Sequence, residues 1–110
     1  MLSCVNYCHS NGIVHRDLRP ENIRLEAGKG VTEIQIVEFG TSMAFDEDEK
    51  HDDKIAAPYY VAPEMFVNNY DEKCDIWSIG VIAYVAISGI PPFHGSSDQE
   101  IMKNVQIGKF

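Results

Sequence analysis

The sequence predicts a mainly α-helical protein with one small β-hairpin. An apolar run from about Glu72 to Ser88, opened by Asp71 and closed by Gly89 and Pro91-Pro92, has the length and punctuation of a helix. The stretch from Thr32 to Val37 alternates, with Ile34 and Ile36 on one face. It follows the short apolar segment Ile23 to Leu25 across Gly28-Lys29-Gly30, which is the pattern of a hairpin.

Taken in order, Met1 to Asn11 reads as the end of a helix with Leu2, Val5 and Cys8 or His9 on one face, and Gly12 suits a left-handed C-terminal cap. Ile13-Val14 can pair briefly as a strand. His15 to Asn22 is broken by Pro20 and reads as a loop. Thr41 to Ala57 lacks usable periodicity, and six of the eight residues from Asp46 to Asp53 are acidic, so a solvated, mobile loop is expected.

The Glu72–Ser88 helix carries Ile76, Trp77, Ile79, Val81, Ile82, Tyr84, Val85 and Ile87 on nearly every side and is expected to be buried all round. Asp75 interrupts it, leaving an apolar length short of the roughly 20 residues a bilayer needs. A buried Asp75 in turn requires hydrogen-bond partners. Ser97 with Glu100 forms a capping box for a last helix carrying Ile101, Met102 and Val105.

The 110 residues suffice for one domain and not for two. With 17 acidic residues against 9 basic ones, a net charge of −8 argues against nucleic acid and anionic membrane and favours a basic protein or peptide partner. Cys4 and Cys8 have helical i, i+4 spacing with His9 adjacent, which would suit a metal. Reduced cysteines packed in the core of an intracellular protein are the better reading for these two and Cys74. The first residues lack the basic and long apolar regions of a secretory signal, so a cytoplasmic address is expected. Tyr59 and Tyr60 are read as packing residues, and His9, His51 and His94 as surface or capping residues.

The segment His15-Arg16-Asp17-Leu18-Arg19-Pro20-Glu21-Asn22 concentrates a carboxylate, two cations and a carboxamide in one short loop. That set suits phosphate chemistry, in which a carboxylate accepts a hydroxyl proton and an amide oxygen holds magnesium. These eight residues resemble the catalytic loop of protein kinases. Further motifs follow in that family's order: Glu38-Phe39-Gly40, Pro58-Tyr59-Tyr60-Val61-Ala62-Pro63-Glu64, Asp75-Ile76-Trp77-Ser78-Ile79-Gly80, Ser88-Gly89 and Pro91-Pro92-Phe93. Asp71 to Ile82 and Ser88 to Phe93 are similar to the calcium/calmodulin-dependent group, especially the calcium-dependent protein kinases.

The resemblance implies a partial serine/threonine kinase domain over residues 1–110: a helical C-terminal lobe, incomplete at both ends. Its parts would be the catalytic loop (15–22), an activation segment (38–64) and a central helix (about 72–88), and a severed lobe would expose part of its core. No Gly-rich phosphate loop, strand lysine or partner glutamate precedes Met1, so the isolated piece is expected to be inactive. In the complete domain, with ATP and Mg2+, Asp17 would orient and deprotonate the substrate hydroxyl. Asn22 and Glu38 would hold magnesium, and Arg19 would neutralise the phosphate. His15, Arg16, Phe39, Gly40, Glu64 and Asp75 would be structural or regulatory: Asp75 binds backbone amides of the loop, and Arg16 pairs with an activation-segment phosphate or with acidic residues replacing one. The implied partners are a protein substrate and a calcium-sensor region outside the chain.

Departures from the family pattern cluster at the reaction centre. Glu38 stands for an aspartate, Arg19 for a lysine, and Ala57 for a threonine whose hydroxyl bridges the catalytic aspartate and lysine. The longer Glu38 carboxylate fits poorly where magnesium demands tight octahedral geometry, and a misplacement of about 1 Å can cost about a hundredfold in rate. An ion pair between Glu38 and Arg19 across the metal site is expected. A pseudokinase or regulatory lobe that binds proteins without transferring phosphate is the alternative reading.

Overall fold

The computed structural model describes residues 1–26, 33–44 and 58–110. Its order is α1 (Leu2–Ser10), β1 (Ile13–Val14), a 3-10 turn (Pro20–Asn22), β2 (Ile23–Leu25), β3 (Ile34–Ile36), a second 3-10 turn (Phe39–Thr41), and β4 (Met43–Ala44). A 3-10 helix (Pro63–Val67), α2 (Lys73–Ser88) and α3 (Asp98–Ile107) complete it. The Gly28-Lys29-Gly30 turn, the acidic run, His51 and Ala57 lie outside the described residues.

Helix α1 stops where Gly12 takes φ +71° and gives its N–H to the His9 carbonyl at 2.9 Å. Glycine adopts that left-handed conformation without a Cβ penalty. The chain then enters β1 directly, so the helix stop sets the start of the motif loop. Strands β2 and β3 pair antiparallel with Ile23 opposite Ile36 and Leu25 opposite Ile34. The ladder extends by a bond from the Val37 N–H to the Asn22 carbonyl at 2.9 Å, which delivers Glu38 beside the loop. One hairpin is not the whole β structure: β1 pairs antiparallel with β4, Val14 opposite Met43. A two-residue strand has no periodicity to read, so its pairing is a purely tertiary outcome.

Helix α2 starts where Asp71 Oδ1 accepts the Lys73 N–H at 2.9 Å and ends at Gly89, φ +78°. It is the hub of three apolar clusters. Ile79 and Ile82 meet Val5 of α1 and Leu18 of the motif loop; Val81 meets Phe93, Ile101 and Val105; and Cys74 meets Val14 and Ala62. Trp77 stacks on Phe93 with ring centroids 5.8 Å apart. Burying side chains such as Leu18 or Ile101 contributes about 1.5–3 kcal/mol each. The helix is not buried all round, however: Ile76, Tyr84 and Ile87 lie outside all three clusters and remain 44%, 43% and 89% exposed. Tyr59 and Tyr60 pack against the Val81 cluster as expected. No described helix is long and apolar enough to cross a membrane.

Helix α3 opens on half of the expected capping box. Ser97 Oγ accepts the Glu100 N–H at 3.3 Å, while the Glu100 carboxylate turns to the N–H and hydroxyl of Ser96, at 2.8 and 2.7 Å. Just before it, Gly95 packs with no space for a side chain: a Cβ would lie 2.8 Å from the Ile101 nitrogen and 2.9 Å from Glu100 Cβ. Because one obstacle is helix backbone, Gly95→Ala is expected to destabilise the protein by about 1–3 kcal/mol, read as a lowered urea midpoint at unchanged m-value.

Candidate active site

The loop from His15 to Asn22 would not hold its shape by local preference. Arg16 sits at φ +69°, a conformation uncommon for a bulky residue, and the loop is anchored from outside. The anchor is Asp75, in the first turn of α2 and 1% exposed. Its Oδ2 accepts the His15 N–H and its Oδ1 the Arg16 N–H, both at 2.9 Å, as the sequence reading required. His9 of α1 adds a third donor, Nε2 lying 2.8 Å from Oδ2. His9 is therefore no surface or capping residue. Its signal was its position four residues after Val5, on the inward face of α1.

His15 is buried, and its tautomer follows from its partners. Nδ1 faces the Asp17 N–H at 3.3 Å, which can only donate, and Nε2 faces the Val37 carbonyl at 3.1 Å, which can only accept. The ring is thus neutral with its proton on Nε2. It bridges the start of the loop to the strand leading into Glu38, and Phe39 packs edge-on against it with centroids 4.7 Å apart. Thr41 donates to the His15 carbonyl at 3.3 Å, and Gly40 lies in the turn between Phe39 and Thr41.

At the far end of the loop, Asn22 is 3% exposed and its Nδ2 donates to the Asp17 carbonyl at 2.8 Å and to Asp17 Oδ2 at 3.0 Å. The opposite amide orientation would set oxygen against oxygen. Arg19 Nε lies 3.7 Å from Asp17 Oδ2 and 3.9 Å from Glu21 Oε2. The expected Glu38–Arg19 ion pair is not formed: acidic residues two positions away on the same loop hold the guanidinium instead. Glu38 is exposed and, like Arg16, left-handed, at φ +63°.

The structure thus unites Asp17, Arg19 and Asn22 at one point, with His15, Arg16, Phe39 and Asp75 as their support. Glu38 stands one residue beyond the Asn22–Val37 bond. Glu64 lies apart, half-buried in the 3-10 helix, with its carbonyl accepting the Asn69 N–H. Among the described residues no group of three or more His, Cys, Asp or Glu side chains could hold a metal, and Cys4, Cys8 and Cys74 are free thiols.

A catalytic-type loop pinned by an aspartate of a hub helix defines a protein kinase domain. Sequence comparison agrees: the protein kinase domain family matches residues 1–109, and the chain belongs to that family. It is 50% identical over its full length to calcium-dependent protein kinase 4 of Plasmodium berghei (strain Anka) and of Plasmodium falciparum (isolate 3D7), covering 21% of each. To calcium-dependent protein kinase 5 of P. berghei it is 42% identical, covering 20%. The chain spans about a fifth of the length of these relatives.

Removing the anchor should be costly. Asp75→Ala leaves the buried His15 N–H and the part-buried Arg16 N–H without acceptors and is expected to destabilise by about 3 kcal/mol or more, with accelerated amide exchange at residues 15 and 16. Next to it, burial pushes the Cys74 thiol far above its ordinary range, with Asp75 and Glu64 adding to the effect. The fold favours the neutral thiol, so this contribution is complete below the free-thiol pKa of about 8.5 and is lost as pH rises above it. A pH series of denaturation midpoints should decline above that point, and Cys74→Ser should flatten the decline.

Proposed function

We propose that the chain is the C-terminal lobe of a serine/threonine protein kinase that transfers the ATP γ-phosphoryl group to protein hydroxyls. The observation that carries this reading is the disposition of Asp17. Asn22 and Arg19 both engage its Oδ2, which leaves Oδ1 to take a proton. A substrate hydroxyl placed there would form its bond to the γ-phosphorus as the bond to the leaving ADP oxygen breaks, its proton passing to Asp17. Arg19 points its buried Nε toward Asp17, and the terminal nitrogens of its guanidinium are the donors a phosphate oxygen would meet.

The donor set fits magnesium. Asn22 spends its amino group on Asp17, so its carboxamide oxygen is left for a cation, and Glu38 offers a carboxylate one residue past the Asn22–Val37 bond. Two protein oxygens suit an ion that keeps waters and phosphate oxygens as its other ligands. Bound magnesium would supply charge neutralisation on the phosphates. The net charge of −8 favours a basic protein substrate, the three free thiols fit a cytoplasmic address, and the likeness to calcium-dependent kinases supports a calcium-sensing region elsewhere in the protein.

One observation favours a second reading, a pseudokinase lobe that binds proteins without transferring phosphate. Arg19 is turned onto the Asp17 and Glu21 carboxylates, so the cation expected on the transferring phosphate is already engaged within the loop.

Phosphorylation of a basic peptide by the intact natural protein with ATP and magnesium separates the two. The kinase reading expects transfer that falls about a hundredfold or more in Asp17→Asn and rises about tenfold in Glu38→Asp as the carboxylate returns toward tighter geometry. No transfer from the parent or from Glu38→Asp would establish the second reading.

A further inference from the structure

Arg16 connects three parts of the site by contacts beyond its backbone anchor. Its Nε–H donates to the Thr41 carbonyl at 2.6 Å and its Nη1–H to the Tyr70 hydroxyl at 3.1 Å. Thr41 closes the turn that follows Glu38, and Tyr70 stands between the Pro63–Val67 helix and α2. A guanidinium is planar with its donors in a fixed fork, so two acceptors on different nitrogens set its position and its plane together.

The two acceptors differ in how firmly they are held. Thr41 is an exposed residue in a short turn, whereas the Tyr70 ring packs against the buried cluster of Val14, Ala62 and Cys74. The phenol oxygen is therefore placed by the core, through a ring with few rotatable bonds. Arg16 itself is in a left-handed conformation, which persists only where its surroundings over-determine it. The Asp75 bond restrains its backbone and the Tyr70 bond its side chain.

We propose that Tyr70 is a positioning residue of the phosphotransfer site, an inference that rests on the kinase reading. Its hydroxyl seats the Arg16 guanidinium. Arg16 so held fixes the Thr41 carbonyl and the backbone entering Asp17. Tyr70 thereby couples the segment before α2 to the turn after Glu38 without touching substrate.

Tyr70→Phe in the intact natural protein tests this, since it removes the oxygen and keeps the packed ring. Amide exchange over residues 15–18 and 39–44 is expected to accelerate, while exchange in α2 and the melting temperature stay near the parent's. In the transfer assay kcat should fall about tenfold with KM for peptide unchanged. The double variant Arg16→Met, Tyr70→Phe should be no slower than Arg16→Met, because the two residues act in series. Unchanged exchange in Tyr70→Phe, or a double variant slower by the product of the single effects, overturns the proposal. If the parent transfers no phosphate, the kinase reading falls, and the exchange result alone decides whether Tyr70 seats Arg16.

Discussion

The carboxylate of Asp75 is the constraint on which the rest of this structure depends. A buried, unpaired carboxylate is costly, so the chain must bring donors to it. Three arrive: the N–H groups of His15 and Arg16, and the ring of His9. The position of Asp75 in the first turn of α2 adds the partial positive charge of the helix N-terminus. Once those donors are in place, α1, the motif loop and α2 meet at one point. The clusters around Val5, Leu18, Ile79 and Ile82 then fill the space between them.

Asp17 and Asn22 are held by backbone that would not adopt its shape alone. Arg16 and Glu38 both occupy left-handed conformations, each unfavourable by on the order of 1–3 kcal/mol. Both flank residues bonded from outside: His15 and Arg16 to Asp75, and Val37 to His15 and Asn22. Strain at the loop is thus offset by hydrogen bonds to α2 and to the strand entering Glu38. The neutral His15 ring fits this arrangement, since a ring protonated on both nitrogens could not accept the Asp17 N–H.

What could be read from the sequence and what could not divides along local and tertiary lines. Helix ends were legible because Gly12, Asp71, Gly89 and Ser97 act within a few residues of their own position. The role of Asp75 was legible because a charge inside an apolar helix must find partners, and the kinase resemblance named them. The pairing of β4 with β1 and the His9 contact were not, since each depends on elements far away in sequence. The exposure of Ile76 and Ile87 was hidden for a different reason: an apolar pattern reports what a helix could bury and says nothing of what covers it. The Glu38–Arg19 pairing failed because it ignored nearer competitors. Asp17 and Glu21 share a loop with Arg19, and little order is lost in meeting it.

The departures at Glu38 and Arg19 fall where folding does not oppose them. Asp75, His15 and Asn22 are each buried at 3% exposure or less and each closes hydrogen bonds that nothing else could satisfy, so replacing any of them would cost stability first and activity second. Glu38 and Arg19 are more open to solvent, and neither side chain completes a hydrogen bond of the frame. A methylene added at Glu38 or a guanidinium in place of an ammonium at Arg19 leaves the hydrogen bonds of Asp75, His15 and Asn22 intact. The buried frame and the more open Glu38 and Arg19 side chains are therefore separable in this chain: burial constrains the first and not the second. A kinase domain built in this way can change at Glu38 and Arg19 while the His15–Asn22 loop keeps its shape.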